Sequence, residues 1–123
     1  LAEDNELNSE IATALLEEQG ASITAVENGR LALEAIQNAA PRTYDAILMD
    51  VMMPEMNGLE ATRCIRAFEG KGPGEGTPII AMTANVFADD VKACLDAGMN
   101  SHIGKPLDMK VLIGEILKYT DAR

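Results

Sequence analysis

Tryptophan is absent from this 123-residue sequence, which holds only two Phe, two Tyr and one His. A core without large rings must be aliphatic, built from Leu, Ile, Val, Ala and Met. Apolar residues reach 47% of the chain, which excludes a disordered polymer. Two cysteines, Cys64 and Cys94, and the lone His102 are too few for a structural zinc site. Both cysteines fall inside helical patterns, where reduced thiols pack as small hydrophobes. No apolar run approaches the roughly 20 residues of a membrane span, and no signal peptide is visible. The chain is therefore expected to be soluble and cytoplasmic. Basic residues are also scarce: ten Lys and Arg stand against twenty Asp and Glu, a net charge of −10. Such a surface repels nucleic-acid phosphates and anionic lipid, and better suits a protein partner or a divalent cation. The length fits one domain, residues 1–123, around one core.

Nucleotide-binding loops are missing too. Glu69 to Thr77 carries four glycines, but Lys71 is followed by Gly72, and Ile65 stands where a P-loop needs its first glycine. That stretch reads as a flexible connector. No GxGxxG occurs, so a dinucleotide site has no support.

What is present alternates between two periodicities. Ala46 to Met49 and Ile79 to Met82 are continuous apolar runs, as strands buried on both faces show. Ala21 to Val26, rich in β-branched residues, and Ser101 to Gly104 are expected as further strands. Leu1 and Ala2 read as the tail of a truncated first strand, upstream apolar residues having been lost. Helical spacing links these segments. Leu7, Ile11 and Leu15 recur four apart, and Ala32, Ala35, Ile36 and Ala39 follow the i, i+3, i+4, i+7 template. Ala61, Cys64, Ile65 and Phe68 do likewise, as do Val91, Cys94, Leu95 and Gly98. Met109, Leu112, Ile113, Ile116 and Leu117 form the clearest apolar face, with Asp108 as N-cap. The β-α alternation predicts an α/β fold, a doubly wound parallel sheet of five strands with five helices.

Ligands of such sheets bind outside the carboxyl ends of the strands. Glu3 and Asp4 end the first strand, Asp50 the third and Thr83 the fourth, and Lys105 follows the fifth. Each alone is ordinary, since Asp often ends strands and Thr or Lys is common near turns. Their convergence on one edge is what points to chemistry. Three carboxylates in one place repel one another, and a cation or proton must relieve that. Few hard oxygen ligands, with room for water and phosphate, suit Mg²⁺. Asp50 is the best placed nucleophile, because carboxylates can accept phosphoryl groups. Lys105 would neutralise phosphoryl charge, and the Thr83 hydroxyl would donate to a phosphoryl oxygen.

The stretches LAEDNELN (Leu1 to Asn8), MDVMMPEMNG (Met49 to Gly58), TPIIAMTAN (Thr77 to Asn85) and GMNSHIGKPLD (Gly98 to Asp108) resemble the receiver domains of two-component response regulators. The wording of the first two is most similar to receivers of hybrid sensor histidine kinases. The resemblance implies a flavodoxin-like sheet of order 2-1-3-4-5. It implies Asp50 as phosphoacceptor, Glu3 and Asp4 as the acidic pair for Mg²⁺, and the Met52 backbone carbonyl completing the metal site. Thr83 matches the switch hydroxyl and Lys105 the family's lysine, with a cis Lys105–Pro106 bond.

By the same resemblance the chain is a phosphorelay signalling domain rather than a turnover enzyme. It would take its phosphoryl group from a histidine kinase or a histidine phosphotransfer domain. It would meet an effector, or a second copy, through the face of the fourth helix, fifth strand and fifth helix, near Val86 to Ala97 and Asp108 to Tyr119. A parent sensor kinase could tether it to the inner membrane. A stand-alone response regulator and a pseudo-receiver that takes no phosphate are the alternatives in the same fold. A hydrolase with an Asp nucleophile needs a second acid two residues on, and Met52 occupies that place.

Two departures from the family pattern stand out. His102 takes the position of a switching Tyr or Phe, either as a smaller switch ring or as a half-buried polar residue with no signalling role. Met52 and Asn85 flank the place of the hydrolytic water. A thioether cannot deprotonate water, so slow self-dephosphorylation is expected.

Overall fold

The computed structural model describes residues 1–40, 43–53, 56–72, 76–83, 88–104 and 108–120. Three parallel strands form its sheet: β1 (Ile47–Asp50), β2 (Ile79–Thr83) and β3 (Ser101–Gly104), adjacent in that order. Ile47 pairs with Ile79 and Asp50 with Met82, while Ile80 pairs with Ser101 and Thr83 with Gly104. Every residue of β1 and β2 is buried, as the unbroken apolar runs predict for strands covered on both faces. Ala2 lies on the far side of β1, bridging in parallel to both Met49 and Val26. The five segments therefore follow the expected spatial order, 2-1-3-4-5 in sequence terms.

One expected strand is corrected. Ala21 to Val26 forms no strand; only Val26 joins the sheet, through the Ala2 bridge. Its neighbour in the sheet is the short Leu1–Ala2 segment. That segment provides Leu1 O for the Val26 N–H, the Glu3 N–H for Val26 O and the Leu1 amino group for Thr24 O, a short ladder. A strand paired on one side needs a longer ladder to stay regular.

Among the described residues five helices enclose the sheet: α1 (Glu6–Glu18), α2 (Gly29–Asn38), α3 (Gly58–Glu69), α4 (Ala88–Ala97) and α5 (Met109–Thr120). Side-chain alternation divides the core in two. Ile47, Met49, Ile79 and Ala81 meet Ala32, Ala61, Ile65 and Cys94 from α2, α3 and α4. Leu48, Ile80, Met82 and Ile103 meet Leu16 of α1 and Leu112 of α5. The buried face of α1 is thus Ala12 and Leu16, while Leu7, Ile11 and Leu15 stay 64%, 50% and 39% exposed.

Asparagine starts three helices. Asn5, Asn28 and Asn57 accept from the N–H groups of Asn8 (3.0 Å), Leu31 (2.8 Å) and Glu60 (2.9 Å). Asp108 does the same for α5 through the Lys110 N–H (2.9 Å), as its sequence position predicts. Gly58 lies where α3 starts against the end of β1. A Cβ there would collide with the Asp50 carbonyl oxygen and come within 3.0 Å of Met49 Cγ. The collision is with backbone, which cannot swing aside, so it outweighs the better helix propensity of alanine. Gly58→Ala should cost about 1–3 kcal/mol, as overpacking does, and thermal denaturation will show it as a lowered midpoint.

At the opposite end of the sheet Arg66, 9% exposed, ties together parts distant in sequence. Its Nε donates to Gly98 O (2.9 Å), Nη1 to Thr77 O (2.8 Å) and Glu69 Oε1 (2.9 Å), and Nη2 to Asn100 Oδ1 (2.8 Å). Asn100 Oδ1 also accepts the Ile79 N–H (2.9 Å), at the start of β2. Glu69 Oε2 accepts the Thr77 hydroxyl (2.7 Å) and N–H (3.1 Å). Glu69 and Thr77, the two ends of the expected flexible connector, are thus bonded to each other. Its residues 73–75 lie outside the described ones.

Candidate phosphoryl and metal site

The carboxyl ends of the strands open into a cavity of about 300 Å³. Glu3, Asp4, Asp50 and Thr83 line it, together with Asn5, Asn8, Val51 and Met52. Of the residues expected at the strand ends, Glu3, Asp4, Asp50 and Thr83 thus meet in one place, with Met52 beside them. Lys105, with Pro106, lies outside the described residues, as does Asn85.

Each wall has a local cause. The Ala2 bridges fix Glu3 beside β1, through Ala2 N–H to Leu48 O (2.8 Å) and Asp50 N–H to Ala2 O (3.0 Å). The Asn5 cap starts α1 directly afterwards, so the acidic pair sits between a strand end and a helix start. Glu3 Oε1 accepts the Asn5 N–H at 3.3 Å. Asp50 ends β1, and its Oδ1 accepts the Met52 N–H at 3.3 Å as the chain turns away. Glu3 and Asp50 are each 5% exposed and Thr83 is 7% exposed, whereas Asp4 faces solvent.

One carboxylate oxygen from each of Glu3, Asp4 and Asp50 lies within 4.8 Å of the other two. Oxygens this close to one another could be shared by one small divalent cation, which these three residues would hold. The donors are all hard oxygens, and Asp4 is open to solvent. The site residues fit a hard divalent cation.

Alternation along β3 puts Ser101 and Ile103 toward α5, where Ser101 Oγ donates to Glu115 Oε2 (2.7 Å) and Ile103 enters the core. His102, half-buried, takes the other face, paired in register with Ala81. Thr83, two residues on from Ala81, shares that face one step nearer the cavity. The sequence reading missed Asn5 and Asn8 as wall residues. Their spacing of three, before an apolar periodic segment, is the capping signal that marks them.

A parallel 2-1-3-4-5 arrangement with an acidic triad and a threonine at its carboxyl edge defines a phosphoacceptor-type α/β domain. The family model for the response regulator receiver domain matches residues 1–117, and the chain belongs to that family. It is 41% identical over 89% of its length to probable histidine kinase 1 of Oryza sativa subsp. indica. It spans only 13–14% of the length of such curated relatives. Among solved structures it resembles the receiver domain of the sensor histidine kinase PA1611 of Pseudomonas aeruginosa, at 37% identity and a TM-score of 0.84 over 98% of this chain and 93% of that one. That structure holds a magnesium ion coordinated in its active-site cleft. The chain is also similar to the structure of the Saccharomyces cerevisiae phosphotransfer protein Ypd1 with the receiver domain of Ssk1, at 26% identity and a TM-score of 0.87 over 98% of this chain and 86% of that one. The chain is a receiver domain of the kind found in hybrid histidine kinases and phosphorelay proteins. No helix among the described residues is long and apolar enough to cross a membrane.

Proposed function

We propose that residues 1–123 form one receiver unit that accepts a phosphoryl group on Asp50. The observation that carries this reading is the carboxylate triad at the mouth of a cavity that Thr83 also lines. An Asp50 carboxylate oxygen attacks phosphorus, the bond from phosphorus to the donor imidazole nitrogen breaks, and an aspartyl phosphate forms on Asp50. The leaving imidazole takes up a proton. Glu3, Asp4, Asp50 and the Met52 backbone carbonyl would hold Mg²⁺, which when bound offsets the charge of the phosphoryl oxygens. The Thr83 hydroxyl donates to one phosphoryl oxygen, and Lys105 neutralises another as a point charge. Moving Thr83 inward frees space on its sheet face, and His102 follows on the same face. The surface of α4, β3 and α5, with Leu95 and Val111 about half exposed, is the part whose packing then changes.

The donor is a phosphohistidine on a histidine kinase or a histidine phosphotransfer protein, as the paired Ypd1 and Ssk1 receiver suggest by analogy. The donor must cover the rim of the cavity, and α1 starts on that rim with Leu7, Ile11 and Leu15 exposed along one stripe. Exposed Glu6, Glu10, Glu17 and Glu18 surround the stripe. A donor helix with an apolar ridge and Lys or Arg at its margins fits it. The parent protein is a hybrid histidine kinase, within which this domain relays rather than turns over substrate.

Transfer from a phosphorylated phosphotransfer protein, set beside phosphorylation by acetyl phosphate, tests the reading. In Ile11→Asp the ratio of the two rates should fall by about tenfold or more, as loss of an interface anchor does. An unchanged ratio would remove α1 from the donor site. Sustained release of phosphate from small phosphoesters would favour a hydrolase.

A further inference from the structure

We propose that Met52 is an oxidation site that sets the lifetime of the phosphoryl group. This inference rests on Asp50 being the phosphoacceptor.

Met52 is 78% exposed and lines the cavity two residues beyond Asp50, whose Oδ1 holds its N–H. Other methionines with described side chains are shielded. Met49, Met82 and Met99 are at most 1% exposed, Met53 is 9% exposed, and Met56 is half-buried against the core. Among the methionines whose side chains are described, Met52 is thus the most open to a peroxide, and its thioether stands beside the reacting centre.

The step balances without a metal. The Met52 sulfur lone pair attacks one peroxide oxygen, the O–O bond breaks and a sulfoxide forms. The departing hydroxide takes a proton and leaves as water, so sulfur is oxidised by two electrons and the peroxide reduced by two. An apolar, weakly accepting group becomes a strong hydrogen-bond acceptor. Beside Asp50 such an acceptor can hold the water that attacks the phosphoryl group, which a thioether does poorly. Peroxide would then shorten the signal.

The experiment treats the full chain with hydrogen peroxide and maps sulfoxide by peptide mass. The domain is then phosphorylated with acetyl phosphate and Mg²⁺, and the decay of phosphoryl mass is followed. Oxidised protein should lose its phosphoryl group roughly two- to tenfold faster, the rate equivalent of one hydrogen bond. Methionine sulfoxide reductase should restore the original decay. Met52→Leu decay should not respond to peroxide, and Met52→Gln should decay faster with no peroxide. Equal decay before and after Met52 oxidation overturns the proposal, as does oxidation of Met49, Met82 or Met99 ahead of Met52. Untreated protein that gains no phosphoryl mass overturns the phosphoacceptor reading first, and this proposal with it.

Discussion

Arg66→Met will lower the stability of the domain by about 3–5 kcal/mol, the usual cost of breaking a buried ion pair. Methionine can refill the volume of the side chain stem but none of its donors. Thr77 O and Gly98 O each lose a bond of 2.8–2.9 Å, and Glu69 loses its cation in a site where its own side chain is 14% exposed. Domains of this size are stable by about 5–15 kcal/mol in all, so the variant sits near the edge of folding. Urea denaturation should show a lower midpoint with an unchanged slope. A loss below about 1 kcal/mol would mean that the pair behaves as a solvent-exposed one.

The same cluster gives a pH dependence with a definite sign. Burial alone would raise the Glu69 carboxyl, but the Thr77 hydroxyl and N–H and the Arg66 guanidinium outweigh it. They hold the group below its ordinary value of 4.5. A carboxyl lowered by folding contributes stability that is fully present above its unfolded value and is lost as pH falls through its folded value. The stability gap between wild type and Glu69→Gln should therefore stay constant near neutrality. It should narrow only on acidification below 4.5.

Glu3→Gln or Asp4→Asn will weaken Mg²⁺ binding by at least about tenfold, since even partners one shell further out are worth ~10–100-fold. Each substitution removes one of three carboxylates whose oxygens lie within 4.8 Å of one another. Isothermal titration measures the affinity, and melting in a chelator separates ligand loss from unfolding. The variants should not melt lower than wild type there, because each relieves like-charge crowding. Unchanged affinity in both would move the metal elsewhere.

Much of this architecture is legible in the sequence because buried parallel strands and amphipathic helices leave different apolar periods. Ile47–Asp50 and Ile79–Thr83 follow directly from that contrast. Ala21 to Val26 did not, because β-branched composition speaks for a strand only when a partner supplies a longer ladder. The spacing of Leu7, Ile11 and Leu15 locates α1 but not its buried face, since small Ala12 and Leu16 pack against the sheet instead. Glu3, Asp4, Asp50 and Thr83 were readable as strand ends on one edge. The Arg66 cluster was not, since it joins positions 32 and 34 residues apart that only the folded chain brings together. The asparagine caps had a visible spacing that the apolar pattern overshadowed.

The central claim is that Asp50 takes the phosphoryl group. Intact mass after incubation with acetyl phosphate and Mg²⁺, run beside Asp50→Asn, tests it most directly. Wild type should gain a single phosphoryl group, in a form that hydroxylamine removes, and the variant should gain none. An equal gain in both proteins would contradict the account.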